Sequence, residues 1–169
     1  GTRQGDKLGP LPPRVYEAAC RLAGEVLVEA DGSKGLPVKL PAPWEPVVPG
    51  NAQEIVVVCN LSGLGRPVGE RVHRPELAAD CLGVSLDTRL TAAHVQTLLQ
   101  KGYLEPLRRD FPGKRVRLHV NHDGSPYQRG AACLLELEQD AAPAGLERVL
   151  NQFRLGCVVL AAGRGERFG

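Results

Sequence analysis

Two acidic residues where an apolar run ends are the first sign of chemistry in this chain. Residues 26–30 read Val-Leu-Val-Glu-Ala, and Asp31-Gly32-Ser33-Lys34-Gly35 follows at once. A run this short, rich in valine and stopped by a glycine, predicts a buried strand that delivers Glu29 and Asp31 to its carboxyl end. Open α/β sheets take ligands at that end, and nucleotide-hydrolysing proteins use a strand-terminal Asp to hold Mg²⁺ against phosphates. Glu29 and Asp31 are therefore the expected metal ligands, with Mg²⁺ as the ion. They lie two residues apart, so a regular strand points both to one side. Ser33 and Lys34 would meet the anion of a bound nucleotide, while Gly32 and Gly35 let backbone amides approach it. The competing reading is an ordinary strand followed by a polar turn.

Further along, His73 and Arg74 precede Pro75-Glu76 at a helix start, where both side chains would contact an anion; helix-start packing is the alternative. Asn121 closes a later strand and is another ligand candidate. His119 and His122 do not form an expected metal pair, because His119 lies within that strand and His122 in the turn beyond. His94 falls mid-helix and reads as packing. Residues 35–53 hold five prolines and the single tryptophan, Trp44. Such a stretch cannot be a regular helix or central strand. It predicts a long loop across the sheet ends, roofing a pocket lined by Glu29, Asp31, Ser33, Lys34 and His73, with Trp44 as its apolar anchor.

The elements that would position these groups alternate along the chain. Helices are expected over residues 14–23, 74–82, 92–101 (capped by Thr91, ended by Gly102), 125–139 and 144–153. Strands are expected over 26–30, 55–59, 116–120 and 157–161. Continuous apolar strands separated by helices predict an α/β fold, a three-layer domain with a mainly parallel sheet in which 26–30 and 55–59 are interior strands. The length of 169 residues suits one domain, and 43% hydrophobic content supports a real core. A net charge of +2, with one Trp, three Tyr and three Phe, argues against a nucleic-acid partner. No apolar stretch approaches 18 residues and no signal peptide is visible, so no membrane partner and a cytoplasmic location are expected. The five widely spaced cysteines, Cys20, Cys59, Cys81, Cys133 and Cys157, contain no Cys-x-x-Cys pair and read as buried free thiols.

Several of these segments, in order, resemble one family. Gly5-Asp6-Lys7-Leu8-Gly9, Leu11-Pro12-Pro13, Val28 to Gly35, the Lys39 that follows, Glu45-Pro46-Val47-Val48-Pro49, Val72-His73-Arg74-Pro75-Glu76 and Leu82-Gly83 are similar to the YqeC-like accessory proteins of selenium-dependent molybdenum hydroxylases. The resemblance spans roughly residues 5–130. It implies relation to P-loop nucleotide-binding domains and partners among molybdenum-hydroxylase maturation proteins. The family's phosphate loop has no counterpart, since Gly-x-x-x-x-Gly-Lys-Ser/Thr does not occur in this sequence. The resemblance therefore implies a domain, residues 1–155, that begins partway into the family's own. Where the family tends to carry an Asn-Lys-x-Asp-like element, this chain reads Asn121-His122-Asp123-Gly124, which shifts the Asp and replaces the Lys. Residues 156–169 resemble the opening of a molybdopterin nucleotidyltransferase domain: a last strand runs into Gly163-Arg164-Gly165-Glu166-Arg167, with Arg167 at the basic nucleotide-holding position; the alternative is a final sheet strand with a Gly/Arg-rich tail. Two readings remain open. One is an accessory domain that handles a nucleotide or cofactor, with ATP and GTP bound weakly or not at all and no turnover. The other is a non-enzymatic module that docks a maturation partner.

Overall fold

The computed structural model describes residues 11–121 in full, together with the backbone of three further strands. Two of these, β1 (Arg3–Gln4) and β2 (Lys7–Leu8), form a small antiparallel pair. Helix α1 (Pro13–Leu22) begins with Pro13 in its first turn, where a missing N–H costs nothing. Strand β3 (Val26–Asp31) follows, and the proline-rich stretch after it contains only the short strand β4 (Val38–Lys39). Strand β5 (Glu54–Asn60) leads through α2 (Val68–Arg71) to β6 (Val72–His73), which pairs in parallel with β4. Helices α3 (Pro75–Leu82), α4 (Ala92–Leu99) and α5 (Glu105–Asp110) then precede β7 (Arg115–Asn121), and β8 (Cys157–Ala161) completes the described elements.

The main sheet has the order β3-β8-β5-β7. Strands β5 and β7 pair in parallel over seven residues, from Glu54↔Arg115 to Asn60↔Asn121. Strand β8 lies antiparallel between β3 and β5, so the sheet is mixed, with one parallel pairing in three. The expected strand over 55–59 is interior: Ile55, Val56, Val57, Val58 and Cys59 are all buried. On one face Ile55, Val57 and Cys59 join Leu118 and Val120 of β7 in a core with Ala78, Val95, Leu98 and Leu107 from the helices. The strand over 26–30 is not interior. It forms an edge among the described strands, and Leu27 and Glu29 face solvent between half-buried neighbours. Its apolar run is only three residues long, and Glu29 interrupts it as an edge strand permits.

Two helix ends follow the expected capping chemistry. Thr91 Oγ1 accepts from the His94 amide at 3.2 Å, and the His94 ring closes the box on the Thr91 amide. Gly83 ends α3 in the left-handed region. Gly102, however, does not stop α4. The chain widens into a π-turn over Gln100–Leu104 and continues as α5. The glycine is needed for contact instead: a Cβ there would lie 2.7 Å from Leu40 Cδ1 and 3.0 Å from Pro41 Cδ. A wide turn of this kind commonly marks a functional position, and this one carries Tyr103 into the core beneath the proline-rich loop.

Of the five cysteines, Cys20 and Cys59 are buried and Cys81 is half-buried, all as free thiols. Burial pushes the Cys59 thiol up to about 12, which keeps it protonated. No helix among the described residues is long and apolar enough to cross a membrane. The expected helices over 125–139 and 144–153, and the tail bearing Arg167, lie outside the described residues.

Gly102→Ala tests the packing reading of the π-turn. Ala is intrinsically better than Gly in a helix by about 1 kcal/mol. The close approach of Leu40 and Pro41 reverses that preference, and urea unfolding is expected to show a net loss of about 1–2 kcal/mol. A gain in stability would show that Gly102 only tolerates its neighbours.

Candidate functional site

A lysine that its residue type alone would place on the surface is buried at the centre of the site. Lys39, on β4, is 2% exposed. Its ammonium donates to Asp31 Oδ1, to Gly32 O at 3.0 Å and to Glu45 Oε2 at 2.9 Å. An ammonium has three protons, and all three are matched. Asp31 is 5% exposed, and its second oxygen accepts from Tyr103 Oη at 2.9 Å. Glu45 accepts in turn from Arg74 Nη2 at 2.8 Å and from the Ala42 amide at 3.0 Å. Two cations and two carboxylates thus form one chain, Asp31–Lys39–Glu45–Arg74, with no net charge. A buried ion needs this degree of satisfaction, because desolvation costs several kcal/mol per charge.

Local backbone geometry explains how distant residues meet here. The register of β3 against β8 shifts between Val28 and Asp31, which breaks strand alternation as a bulge does. Asp31 therefore turns into the core while Glu29 stays in solvent, with Glu29 Oε1 3.1 Å from where a Cβ on Gly32 would stand. The parallel pairing of β4 with β6 sets Lys39 opposite His73. Arg74 adopts a left-handed conformation at φ 66°, uncommon for a residue with a side chain. This strain, of order 1–3 kcal/mol, sits where the guanidinium reaches both Glu45 and the Trp44 ring, 5.7 Å from its centroid.

The residues expected to form a site have separate fates. Ser33 is fully buried and donates to Leu36 O at 2.7 Å, a turn-closing bond. Lys34 is exposed, at φ 53°, and makes no ion pair among the described residues. His73 is half-buried; partial burial and then the positive charges of Lys39, Arg74 and Lys34 hold its pKa below 6.5, outweighing Glu45. These four cationic or titrating groups are therefore electrostatic neighbours. Asn121 is buried at the carboxyl end of β7, in register with Asn60, whose amide donates to Pro37 O at 3.1 Å. Sequence reasoning treated Lys39 only as part of a motif and did not anticipate Tyr103. No residue type or spacing marks either side chain for burial, since their partners come together only in the folded loop.

Glu45 is set low. Burial alone would raise its carboxyl, but the Ala42 amide, Lys39 and Arg74 outweigh it and hold it at about 2. Both Asp31 oxygens serve Lys39 and Tyr103, so Asp31 acts as a counter-ion rather than as half of a carboxylate pair with Glu29. No group of three or more His, Cys, Asp or Glu side chains among the described residues is arranged to hold a metal ion. A separate concavity of about 450 Å³, lined by Ala52, Gln53 and residues 110–114, lies at the amino ends of β5 and β7, the opposite end of those strands from Asn60 and Asn121.

Residues 1–76 match the sequence profile of a family described as YqeC protein. Within Escherichia coli K12, the curated relative "Uncharacterized protein YqeC" is 36% identical over 76 residues, a match covering 44% of this chain and 30% of the relative. This chain thus spans under a third of the relative's length. No solved structure matches. The matched segment holds the whole ion chain, Trp44, His73 and Lys34; Tyr103 and Asn121 fall beyond it.

Two measurements check this geometry. Lys39→Met leaves two carboxylates without their cation and is expected to cost about 3–5 kcal/mol in urea unfolding. Adding Asp31→Asn to it is expected to cost clearly less than the sum of the single changes, by about 1–3 kcal/mol; additive losses would mean the two groups are not coupled. A carboxyl held below its ordinary 4.5 stabilises the fold at any pH above about 4.5 and loses that contribution as pH falls toward about 2. Glu45→Gln should therefore flatten the fall in unfolding midpoint between pH 6 and pH 3, and an unchanged fall would assign the acid sensitivity elsewhere.

Proposed function

From a chain whose first 76 residues are YqeC-like, we propose an accessory role in the maturation of selenium-dependent molybdenum hydroxylases. In this reading the domain handles an anionic nucleotide or cofactor without turnover of its own, on a fold related to P-loop nucleotide-binding domains. The observation that carries it is the division of labour among the cations. Lys39 and Arg74 are consumed by Asp31 and Glu45, which fixes the loop without leaving net charge. Lys34 remains exposed beside a half-buried His73. A phosphate reaching that edge meets one permanent cation and one imidazole able to take a proton. Such contacts bind and orient an anion; they supply neither a nucleophile nor a positioned metal, so hydrolysis is not expected.

The alternative, a module that docks a maturation partner, has its own support. Leu11, Val15 and Leu22 lie in and just before α1 and are exposed, Leu22 by 88%. Exposed apolar side chains close together along a helix suit a protein surface.

Calorimetric titration with inorganic tripolyphosphate and with ATP, each with Mg²⁺, distinguishes these readings. Binding at sub-millimolar to millimolar concentration is expected, weakened about tenfold by Lys34→Ala. His73 gains an anionic neighbour on binding, so affinity should rise as pH drops from 8 to 6. No phosphate should be released from ATP. Absence of binding for both ligands would remove the nucleotide-handling reading and leave the docking one.

A further inference from the structure

An exposed tryptophan on a rigid mount is the largest feature that the site's charges leave unused. Trp44 is 72% exposed although it is the single tryptophan of the chain. Indole rings ordinarily bury most of their surface. The backbone that carries it is held. It sits at the corner of a turn in which the Glu45 amide donates to Ala42 O at 2.9 Å and the Ala42 amide donates to Glu45 Oε2 at 3.0 Å. Pro43 precedes it and fixes the backbone of the turn. Arg74 lies over the ring, and Arg74 is itself held by Glu45. The chain from Asp31 through Lys39, Glu45 and Arg74 therefore ends on an aromatic surface.

We propose that Trp44 is a stacking platform for the planar heteroaromatic ring of the anionic ligand, a nucleotide-class molecule, with its phosphates directed toward Lys34 and His73. This rests on the nucleotide-handling reading above and gives it a base-recognition element. Three observations converge. The Arg74 guanidinium supports the indole from one side and leaves most of the ring in solvent. His73 is in register with Lys39, directly precedes the Arg74 that lies over the ring, and feels the charge of Lys34 on the turn. The strained backbone of Arg74 persists because its side chain is tied on two sides, which pre-organises the platform before any ligand arrives. Stacking tolerates any base, since every base has a π-face. It also needs no edge-reading Asp of the kind whose position is shifted in Asn121-His122-Asp123-Gly124.

Because Trp44 is the only tryptophan, its fluorescence reports on this locality alone. The full chain is titrated with ATP and CTP, and with inorganic tripolyphosphate as a probe that has charge but no ring. Quenching by the two nucleotides and not by tripolyphosphate is expected. In calorimetry the nucleotides should bind about tenfold more tightly than tripolyphosphate. Trp44→Ala should erase that difference, and Trp44→Phe should keep most of it. Nucleotide binding without quenching, unaltered by Trp44→Ala, would overturn the platform while leaving nucleotide handling intact. Failure of nucleotides and tripolyphosphate alike to bind would overturn both.

Discussion

Burying an ammonium ion is costly enough that the surrounding chain must be organised around it. Lys39 is enclosed almost completely, and each of its three protons is met by a different segment of backbone or loop: the end of β3, the glycine beyond it, and the proline-rich stretch. Remove that cation and Asp31 and Glu45 are left as uncompensated buried or half-buried charges. Keep it, and the strand end, the loop and the start of α3 become one unit, since Glu45 passes the tether on to Arg74. The π-turn joins the same arrangement from below, because Tyr103 closes the remaining Asp31 oxygen and Gly102 admits Leu40 and Pro41.

The proposed binding role rests on what this frame uses and what it leaves over. Its own charges sum to zero. Among the described residues, the groups outside this frame are Lys34 on a left-handed turn, the half-buried His73, whose pKa is lowered by burial and neighbouring cations, and the exposed Trp44 ring. The ligand proposed above, anionic and planar, would meet a permanent charge, an imidazole and an aromatic face.

Much of the framework was legible from residue types and spacing. The unbroken apolar run from Ile55 to Cys59 could only be a doubly covered strand, and Thr91 and Gly83 mark their helix ends through ordinary capping chemistry. The YqeC-like character was legible too, although the match extends over residues 1–76 rather than to about 130. Other features were not. A bulge between Val28 and Asp31 depends on pairing with a strand more than a hundred residues away, so the strict alternation expected for Glu29 and Asp31 had no local reason to fail. Gly102 looked like a helix stop because the usual meaning of glycine there is conformational; its reason is the close approach of Leu40 and Pro41, sixty residues upstream. Lys39 was overlooked since burial of a lysine is set by partners that only the folded loop brings together.

Residue-resolved hydrogen exchange on the native chain and on Lys39→Met tests the claim that one ammonium organises the site. The reporters are the amides of Ala42, Glu45 and Val47, which bond to Glu45, Ala42 and Ala30 respectively, with the interior amides of β5 as the reference. In the variant, protection is expected to collapse at the three loop amides by about a hundredfold or more relative to β5, as local opening separates from global unfolding. Uniform loss across loop and strand alike, or unchanged protection in the loop, would contradict the central role given to Lys39.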